Sequence, residues 1–574
     1  MPSFGGVLTR WTVLVAVLGL LCSSVGRATK PPRREEIRAP HGMVVAAESL
    51  AALAGVEVLK QGGNAVDAAV AVGFILAVTY PETGNIGGGG FMLIRRAEGS
   101  AVMIDFREKA PAAATRTMYL DSAGHVIPQK SEVGAIAAGV PGSVAGLLTA
   151  LERYGTMPRE RVLERAIQLA EQGFPLPEWL AKDLNHHQQD FSAFSSTKKI
   201  FSNKGKPFRT GELFRQRDLA RTLRVIREKG VDGFYRGEVA RKIVAEMKRG
   251  GGLITATDLE EYRAVEREPL RGTYRGYELL TASPPSAGGM VLLQILNMLE
   301  RYNLSSLGHN TARTLHLFAS AAQRAFADRA QFMGDPDFVN IPIHQLISKA
   351  YAQRRVADID STKATMSSQI TAGTPDDMEH HETTHYCVAD SLGNVVAVTT
   401  TLNGLYGCKE VVDGAGFFLN NEMDDFAISP GVPNMYGLTG GDANAIASHK
   451  RMLSSMTPTI VLHDGKPLIL VGARGGSRIP TAVAQILLNV IDFGMSIRQA
   501  VEAPRVHHQW LPDHLLYETN GLTKSVIEEL RGMGWTVKDA NGFTARAQAL
   551  MIDRTSGMLL GGPDSREHGV AIGY

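Results

Sequence analysis

The sequence predicts an α/β (α+β) protein in which helices cover the outer faces of β-sheets. The first sign is an apolar segment of helical length at residues 65–78, which stops before Pro81. The second is a pair of strand-like runs, residues 383–390 and 395–402, rich in β-branched and aromatic residues and separated by a turn at 391–394. Since the second run is almost continuously apolar, it is expected to be buried on both faces.

Further elements are predicted in order along the chain. Residues 44–60 are rich in alanine and end at a Gln-Gly-Gly-Asn sequence, which favours a helix that stops there. Strands are predicted at 91–94 and 102–106, and residues 142–333 show mainly helical patterns broken by proline and glycine. The remaining predicted elements are strands at 459–462, 467–471 and 549–552 and helices after Pro480 and Ser525.

The composition is that of an ordinary globular protein. The 574 residues are 44% hydrophobic and 21% charged, and the formal net charge is +2. Lysine and arginine are scattered, which argues against nucleic acid as a partner. Of the three cysteines, Cys22 lies in the N-terminal apolar run, so Cys387 and Cys408 are too few for a disulfide framework. The sequence leaves open whether these two are bridged.

Residues 1–28 are predicted to be an export signal. Arg10 provides the positive start, residues 11–21 form an apolar core, and small residues follow. The apolar core is short for a membrane-spanning helix, and no later segment has 18 uninterrupted apolar residues. We therefore expect a periplasmic or secreted protein without a membrane span after removal of the signal.

The sequence His381-Glu382-Thr383-Thr384-His385 matches the H-E-x-x-H zinc motif. That motif binds metal only on a helix, where both histidines lie on one face. Here a polar segment, residues 371–382, predicts an exposed linker, and a strand follows it. We therefore expect no metal site.

A threonine that begins a buried strand after an exposed linker can act as an N-terminal nucleophile. If the chain is cut between Glu382 and Thr383, the new α-amine has a pKa of about 8 and can accept a proton near neutral pH. Thr383 then supplies both the nucleophile and the base. From the residues alone this signal is weak, because threonine opens many strands through its β propensity.

Segments across residues 40–574 resemble the γ-glutamyltransferases (γ-glutamyltranspeptidases), in the order expected for that family. The stretch from Thr383 to Asp390 resembles the start of the family's small subunit. The other matching segments are Gly62-Gly63-Asn64-Ala65, Gly87-Gly88-Gly89-Gly90-Phe91-Met92, Asp105-Phe106-Arg107-Glu108, Pro284-Pro285-Ser286-Ala287-Gly288-Gly289, Leu419-Asn420-Asn421-Glu422-Met423-Asp424-Asp425-Phe426, Leu453-Ser454-Ser455-Met456-Thr457-Pro458-Thr459, Gly475-Gly476-Ser477-Arg478-Ile479-Pro480 and Ala503-Pro504-Arg505-Val506-His507-His508-Gln509-Trp510.

The resemblance implies a four-layer αββα sandwich of the N-terminal-nucleophile hydrolase type. It also implies a precursor that cleaves itself between Glu382 and Thr383. Residues 29–382 would form the large subunit and 383–574 the small subunit of a heterodimer. The implied reaction moves the γ-glutamyl group of glutathione or related donors to water, an amino acid or a peptide, without a cofactor.

The resemblance also assigns residue roles. Thr383 is the nucleophile, Thr401 its hydrogen-bond partner, and the backbone amides of Gly475 and Gly476 the oxyanion hole. The substrate-binding residues so assigned are Arg107, Ser454 and Ser455 for the α-carboxylate of the donor, and Asn403, Glu422 and Asp425 for its α-ammonium. Without the resemblance, Arg107 is interpreted as a solvated charge and the two serines as a loop or a helix cap.

Residues 430–441 are predicted to be a lid over the donor pocket. They contain two prolines and four glycines, which favours a loop, and they start five residues after Asp425. Tyr436 is a large amphipathic side chain among small ones, suited to closing a cavity.

Two other motifs are interpreted as structural. Gly87 to Gly90 lacks the following Gly-Lys-Ser/Thr of a phosphate-binding loop. His507 and His508 have no third metal ligand spaced near them.

Three other functions are weighed against this interpretation. An acylase of the same fold would act on glutaryl side chains, which lack the α-amino group that Glu422 and Asp425 would bind. An inactive periplasmic amino-acid-binding homologue would not need every catalytic position to be filled. A zinc protease would need the H-E-x-x-H segment to be helical.

Overall fold

The computed structural model describes residues 36–371, 383–429 and 431–574. The predicted export signal, Glu382 of the predicted cleavage site and Pro430 of the predicted lid lie outside the described residues.

Two large antiparallel sheets dominate the described chain. The strands are β1 Ile37–Ala39, β2 Met43–Ala46, β3 Gly89–Arg95, β4 Ala101–Asp105, β5 Phe174–Pro175, β6 Leu213–Phe214, β7 Val265–Arg267, β8 Leu270–Tyr274, β9 Tyr277–Thr281, β10 Thr384–Ala389, β11 Val395–Thr401, β12 Thr459–His463, β13 Lys466–Arg474, β14 Val506–His507, β15 Leu515–Tyr517, β16 Val537–Asp539, β17 Arg546–Ile552, β18 Leu559–Pro563 and β19 Val570–Gly573. Sheet 1 has the order β19-β2-β10-β11-β3-β4-β7, and sheet 2 has the order β1-β18-β17-β13-β12-β9-β8.

Helices flank these sheets. They are α1 Ser49–Lys60, α2 Ala65–Thr79, α3 Ser143–Tyr154, α4 Arg159–Gln172, α5 Glu178–His186, α6 Gln188–Ser192, α7 Ser195–Phe201, α8 Arg217–Lys229, α9 Asp232–Tyr235, α10 Gly237–Gly250, α11 Ala256–Glu261, α12 Gly288–Leu299, α13 Leu304–Leu307, α14 Ala312–Phe332, α15 Ile343–Leu346, α16 Lys349–Val356, α17 Ile479–Ile491, α18 Ile497–Glu502 and α19 Lys524–Gly532. Helix α2 is buried along its whole length and begins with a capping box between Asn64 and Asp67.

The alternation of side chains along the strands builds the layers. In β10, Tyr386 and Val388 pack on the side of α1 to α4, whereas Cys387 and Ala389 pack between the two sheets. The far face of sheet 2 packs against α12, α17 and α18. The layer order is therefore helix, sheet, sheet, helix, which confirms the predicted αββα sandwich.

The glycine run before β3 has a structural role, as predicted. A Cβ atom on Gly88 would lie 2.0 Å from the carbonyl oxygen of Thr401, and one on Gly90 would lie 2.3 Å from that of Thr399. Only glycine therefore lets β3 lie this close to β11. This approach places the start of β3 beside the end of β11, where Thr401 lies.

Two element predictions are wrong in part. Residues 44–60 are not one helix, because Met43–Ala46 forms strand β2, which lies inside sheet 1 and pairs with both β10 and β19. The mainly helical region 142–333 also contains β7, β8 and β9. Such strands are fixed by partners far along the chain, which local patterns cannot show.

The open question of the cysteines is settled by their positions. Cys387 and Cys408 are both free and buried. Cys387 lies in the core between the sheets and Cys408 in the core on the helix side of sheet 1.

Candidate active site

The predicted site residues come together in one buried cavity. It is lined by Arg107, Thr383, Thr401, Asn403, Glu422, Asp425, Tyr436, Ser454, Ser455, Met456, Gly476 and Ile479. Every residue predicted for catalysis or substrate binding is in this set except Gly475, which directly precedes Gly476. We call it the donor cavity. Its volume is only ≈ 20 Å³, room for about one water molecule.

Thr383 lies at the edge of this cavity, directly before β10. Because Thr384 pairs with Thr400 in β11, Thr383 stands opposite the end of that strand. Its hydroxyl donates a hydrogen bond to the hydroxyl of Thr401 over 3.5 Å, and the Thr401 hydroxyl accepts one from the backbone N–H of Asn403 at 2.7 Å. The geometry places a second hydroxyl beside the predicted nucleophile.

Arg107 is not the solvated charge that its local sequence suggests. It follows β4 and is 1% exposed. Its guanidinium lies 2.6 Å from the Glu422 carboxylate and also binds Asp425. It donates further hydrogen bonds to the carbonyl oxygens of Met452 and Leu453, both at 3.2 Å. A buried cation is therefore held among backbone carbonyls and carboxylates contributed by distant segments.

Burial controls the ionisation of these carboxyl groups. It raises the pKa of Glu422 well above its ordinary value and also raises that of Asp425, while Arg107 opposes both shifts. Burial likewise raises the pKa of Glu108 to about 8, again against the pull of Arg107. The cavity therefore holds one firmly charged cation among carboxyl groups whose charge depends on their partners.

A short 3₁₀ turn, Glu422–Asp425, carries the acidic residues. Asn420 fixes its start, since its side-chain oxygen accepts from the Glu422 N–H at 3.0 Å and its amide donates to the Gly87 carbonyl at 2.9 Å. Asn421 accepts from the Gly404 N–H at 2.8 Å. These two asparagines tie the acidic turn to the glycine run and to the segment after β11.

Gly475 and Gly476 connect β13 to α17 through a 3₁₀ turn. Their φ angles are 137° and 53°, a region that favours glycine. A Cβ on Gly476 would lie 2.4 Å from the Tyr436 ring. The preceding Arg474 is buried and binds Tyr80, Glu567 and, at 2.6 Å, Glu82. Sequence reasoning missed Arg474, because nothing in the local pattern marks it as buried.

The serine pair is positioned by the loop before α12. The Ser454 N–H donates to the Pro285 carbonyl at 2.9 Å, and the Ala287 N–H donates to the Ser454 carbonyl at 2.8 Å. The Ser454 hydroxyl accepts from the Met456 N–H at 3.1 Å. Through these bonds the Pro284 to Gly289 segment holds Ser454 in the wall of the donor cavity.

The predicted lid segment lies on the donor cavity. The Tyr436 hydroxyl donates to the Asn403 carbonyl at 2.8 Å. The Asn434 side chain donates to Asp425 at 3.0 Å, and the Met435 N–H donates to Asp424 at 2.8 Å. Sequence reasoning missed Asn434 and Asp424, since neither lies in a pattern that indicates contact between the loop and the acidic turn. Together the contacts hold the loop closed.

The structure contradicts the helical reading of the H-E-x-x-H segment. His385 lies in strand β10, where its ring contacts the Thr399 hydroxyl at 2.8 Å and burial lowers its pKa to about 3. His381 and Glu382 lie outside the described residues. Within the described residues, no group of three His, Cys, Asp or Glu side chains could hold a metal ion.

His507 is bound within the fold. Its ring contacts the Thr481 hydroxyl and the Gln509 side-chain oxygen, both at 2.8 Å. Gln509 in turn donates to the carbonyl oxygen of Tyr436 at 3.0 Å. The histidine therefore helps to hold the loop that carries Tyr436, in line with the structural role predicted for it.

The fold and the cavity together define an N-terminal-nucleophile hydrolase: a hydroxyl residue at the start of a buried strand in an αββα sandwich. Residues 51–574 match the family model "Gamma-glutamyltranspeptidase". The chain is 47% identical to the glutathione hydrolase proenzyme of Escherichia coli, over 97% of each chain. The chain therefore belongs to the γ-glutamyltranspeptidase family, as its sequence segments predict.

Solved structures agree with this assignment. A cephalosporin acylase from Bacillus halodurans superposes with a TM-score of 0.84 at 28% identity, covering 95% of this chain and 98% of that one. The γ-glutamyltranspeptidase of Helicobacter pylori superposes with a TM-score of 0.57 at 45% identity, covering 60% of this chain and 97% of that one. Among the helices that the structure describes, none is long and apolar enough to cross a membrane.

Proposed function

We propose that this γ-glutamyltransferase and glutathione hydrolase uses Thr383 as its nucleophile after cutting itself at the Glu382–Thr383 bond. The observation that supports this most is the donor cavity, in which a pair of threonine hydroxyls faces a buried arginine and two carboxylates. The large subunit would be residues 29–382 and the small subunit 383–574.

In maturation, the Thr383 hydroxyl attacks the carbonyl carbon of Glu382. The C–N bond breaks as the new ester forms, and the proton from the hydroxyl passes to the departing nitrogen. Water then hydrolyses the ester, which leaves a carboxyl group on Glu382 and a free α-amine and hydroxyl on Thr383. The Thr401 hydroxyl, 3.5 Å away, orients the attacking oxygen.

In turnover, the α-amine of Thr383 takes the proton as its hydroxyl attacks the γ-carbonyl of the donor. The amides of Gly475 and Gly476 stabilise the oxyanion. The leaving amine departs with a proton, and the γ-glutamyl group stays on Thr383 as an ester. Water or the amine of an amino acid or peptide then attacks this ester and restores the free hydroxyl.

The donor is recognised as an amino acid. Its α-carboxylate binds Arg107, Ser454 and Ser455, and its α-ammonium binds Glu422, Asp425 and the Asn403 side chain. In the structure Arg107 pairs with Glu422 and Asp425. When a zwitterionic donor binds, its carboxylate pairs with Arg107 and its ammonium with the two carboxylates, so equivalent ion pairs replace the internal ones. A bound ammonium also lowers the pKa of the two carboxyl groups, against the effect of burial.

A second candidate, an acylase, is favoured by a relative called "Acylase ACY 1 proenzyme" from Pseudomonas sp. strain SE83, which is 39% identical over 86% of this chain. A glutaryl substrate has no α-ammonium, so it would leave Glu422 and Asp425 without a new cation. The two activities therefore differ in their need for the acidic turn.

We expect purified enzyme to hydrolyse γ-glutamyl-4-nitroanilide with a kcat/KM at least about 10²-fold above that for glutaryl-4-nitroanilide, because a charged hydrogen bond inside a buried site contributes about 2–3 kcal/mol or more. The two substrates differ only in the α-amino group, so each is the control for the other. Equal rates would favour the acylase function.

The lid, residues 430–441, would have to open before a donor enters, since the closed donor cavity holds about one water molecule. Tyr436 is 5% exposed and lies against Gly476. When the lid closes over the acyl-enzyme it excludes bulk water and limits the size of the donor.

Replacing residues 430–441 with a short Gly-Ser link should raise activity on long poly-γ-glutamate relative to γ-glutamyl-4-nitroanilide, by about tenfold or more, because the roof over the cavity is gone. The point variant Tyr436→Phe is the control. It keeps the ring over Gly476 and loses the hydroxyl that donates to Asn403, so it should not admit the long donor. If the long donor gains nothing in the loop variant, the segment is not a lid.

Export through residues 1–28, giving a periplasmic or secreted enzyme, is part of the proposal. Its support is the charged start, apolar core and small residues of that segment.

A further inference from the structure

A second cavity, of ≈ 610 Å³, lies next to the donor cavity. The two linings contain neighbouring residues on three separate segments. Asn403, Glu422 and Tyr436 line the donor cavity, while the residues beside them, Gly404, Asn421 and Met435, line the second cavity. Since consecutive Cα atoms are about 3.8 Å apart, the wall between the cavities is one residue thick.

Met435 is the side chain in this wall that the lid contributes. The Asn403 amide lies 3.4 Å from its sulfur, and a Cβ on Gly404 would lie 3.2 Å from its methyl group. The same loop thus covers the donor cavity with Tyr436 and separates it from the second cavity with Met435. When the loop moves, both cavities change together.

The lining of the second cavity is positively charged. Its basic residues are His187, Lys409, Arg478 and Arg546, against one acidic residue, Glu132. His187 is bound to Asp190 at 2.9 Å, and Arg478 donates to the Phe543 carbonyl at 3.5 Å. The excess of cations points to an anionic ligand.

Of these basic residues, Lys409 and Arg546 are the best placed to bind an anion. Within the described part of the chain, no carboxylate lies within 4.0 Å of either side chain. Lys409 donates to the backbone carbonyl of Leu405, burial lowers its pKa, and Asp190, Asp183 and Glu132 attract it at longer range. Arg546 is attracted at longer range by Glu82 and Glu567, but Arg474 already pairs with both of these carboxylates.

The size of the second cavity suits a small peptide, since ligand cavities for molecules of that class are about 300–1,000 Å³. Its apolar lining residues, including Leu405, Met435 and Phe543, can contact a side chain while the cations bind a terminal carboxylate. The second cavity also reaches the γ-carbonyl end of the donor cavity, because Arg478 lies two residues after Gly476 and Arg546 pairs with Arg474, directly before Gly475. A γ-glutamyl peptide whose γ-carbonyl lies at Thr383 would therefore direct its other end toward the second cavity.

We propose that the second cavity binds the terminal carboxylate of the peptide part of the reaction, through Lys409 and Arg546. This rests on the proposed function, because it takes the donor cavity as the site of the γ-glutamyl group. The peptide is either the leaving part of a donor such as glutathione or the acceptor that attacks the acyl-enzyme; both present the same carboxylate.

A double-mutant cycle between the protein and the substrate tests the proposal. In the donor arm, hydrolysis of glutathione is compared with that of its C-terminal amide. In the acceptor arm, γ-glutamyl-4-nitroanilide is the donor, and glycylglycine is compared with its C-terminal amide. Each pair is measured with the native enzyme, Lys409→Gln and Arg546→Gln. Arg554→Gln is the matched control, since Arg554 is exposed and binds Asp464.

In the native enzyme we expect kcat/KM for the acid to exceed that for the amide by about tenfold. We expect this preference to shrink to about twofold in Lys409→Gln and Arg546→Gln and to persist in Arg554→Gln. If the preference for the acid is lost in the donor arm, the second cavity binds the leaving peptide. If it is lost in the acceptor arm, the second cavity binds the acceptor. An acid preference that is absent from the native enzyme, or untouched by both variants in both arms, overturns the proposal. Failure of the proposed function is separate: the native enzyme would then either not hydrolyse γ-glutamyl-4-nitroanilide or hydrolyse glutaryl-4-nitroanilide equally well.

Discussion

Thr383→Ala should remain a single uncut chain and should lose γ-glutamyltransferase activity by about 10⁴-fold or more, because one hydroxyl serves both cleavage and turnover. A denaturing gel shows the first effect and a γ-glutamyl-4-nitroanilide assay the second. In the native protein, N-terminal sequencing of the smaller fragment should begin Thr-Thr-His-Tyr, which are residues 383–386.

The neighbouring threonine provides a matched control. The Thr384 hydroxyl is buried and has no hydrogen-bond partner within the described residues, so Thr384→Val removes no polar contact and keeps the β-branched shape. This variant should still cut itself and stay active, and Thr383→Ser should do so at a reduced rate. A native enzyme that is fully active as one uncut chain would exclude Thr383 as an N-terminal nucleophile.

Arg107→Ala should mainly raise the KM for glutathione, with a loss of about 2–5 kcal/mol in binding, since the donor carboxylate loses a desolvated charge pair. The fold should also lose stability, by about 3–5 kcal/mol, because Glu422 and Asp425 stay buried without their cation. Steady-state kinetics and thermal unfolding measure the two effects.

The stability loss should depend on pH. Burial raises the pKa of Glu422 and Asp425, and removing the guanidinium raises both values further. A carboxyl group with a raised folded-state pKa stabilises the fold below its unfolded pKa and loses that contribution as the pH rises through the folded value. The Tm of Arg107→Ala should therefore be closer to that of the native protein at about pH 5 than at about pH 8.

Arg107→Lys is the control for charge. Lysine keeps the cation but not the planar fork that reaches two carboxylates, so we expect a KM between those of the native enzyme and Arg107→Ala. A native KM and Tm for Arg107→Ala would show that the arginine neither binds the donor nor neutralises the acidic turn.

The sequence by itself determined the fold class, the family and the strand pair that directly follows Thr383. Local sequence patterns are sufficient to predict these elements. Helix α2 is apolar and capped, and β10 and β11 are joined by a short turn, so their pattern needs no distant partner. The segments that resemble the family also contain most of the residues that line the donor cavity. The contacts of these residues with one another could not be predicted from the sequence.

Only the tertiary structure decided what depends on distant partners. Val44 and Val45 form a strand because β10 and β19, more than 300 residues away, pair with them. Arg107 is buried because the turn at Glu422–Asp425 and the Met452–Leu453 segment enclose it. The second cavity arises in the same way. Each of its cations looks like a solvated charge in the sequence, and they act together only because the fold places them around one space.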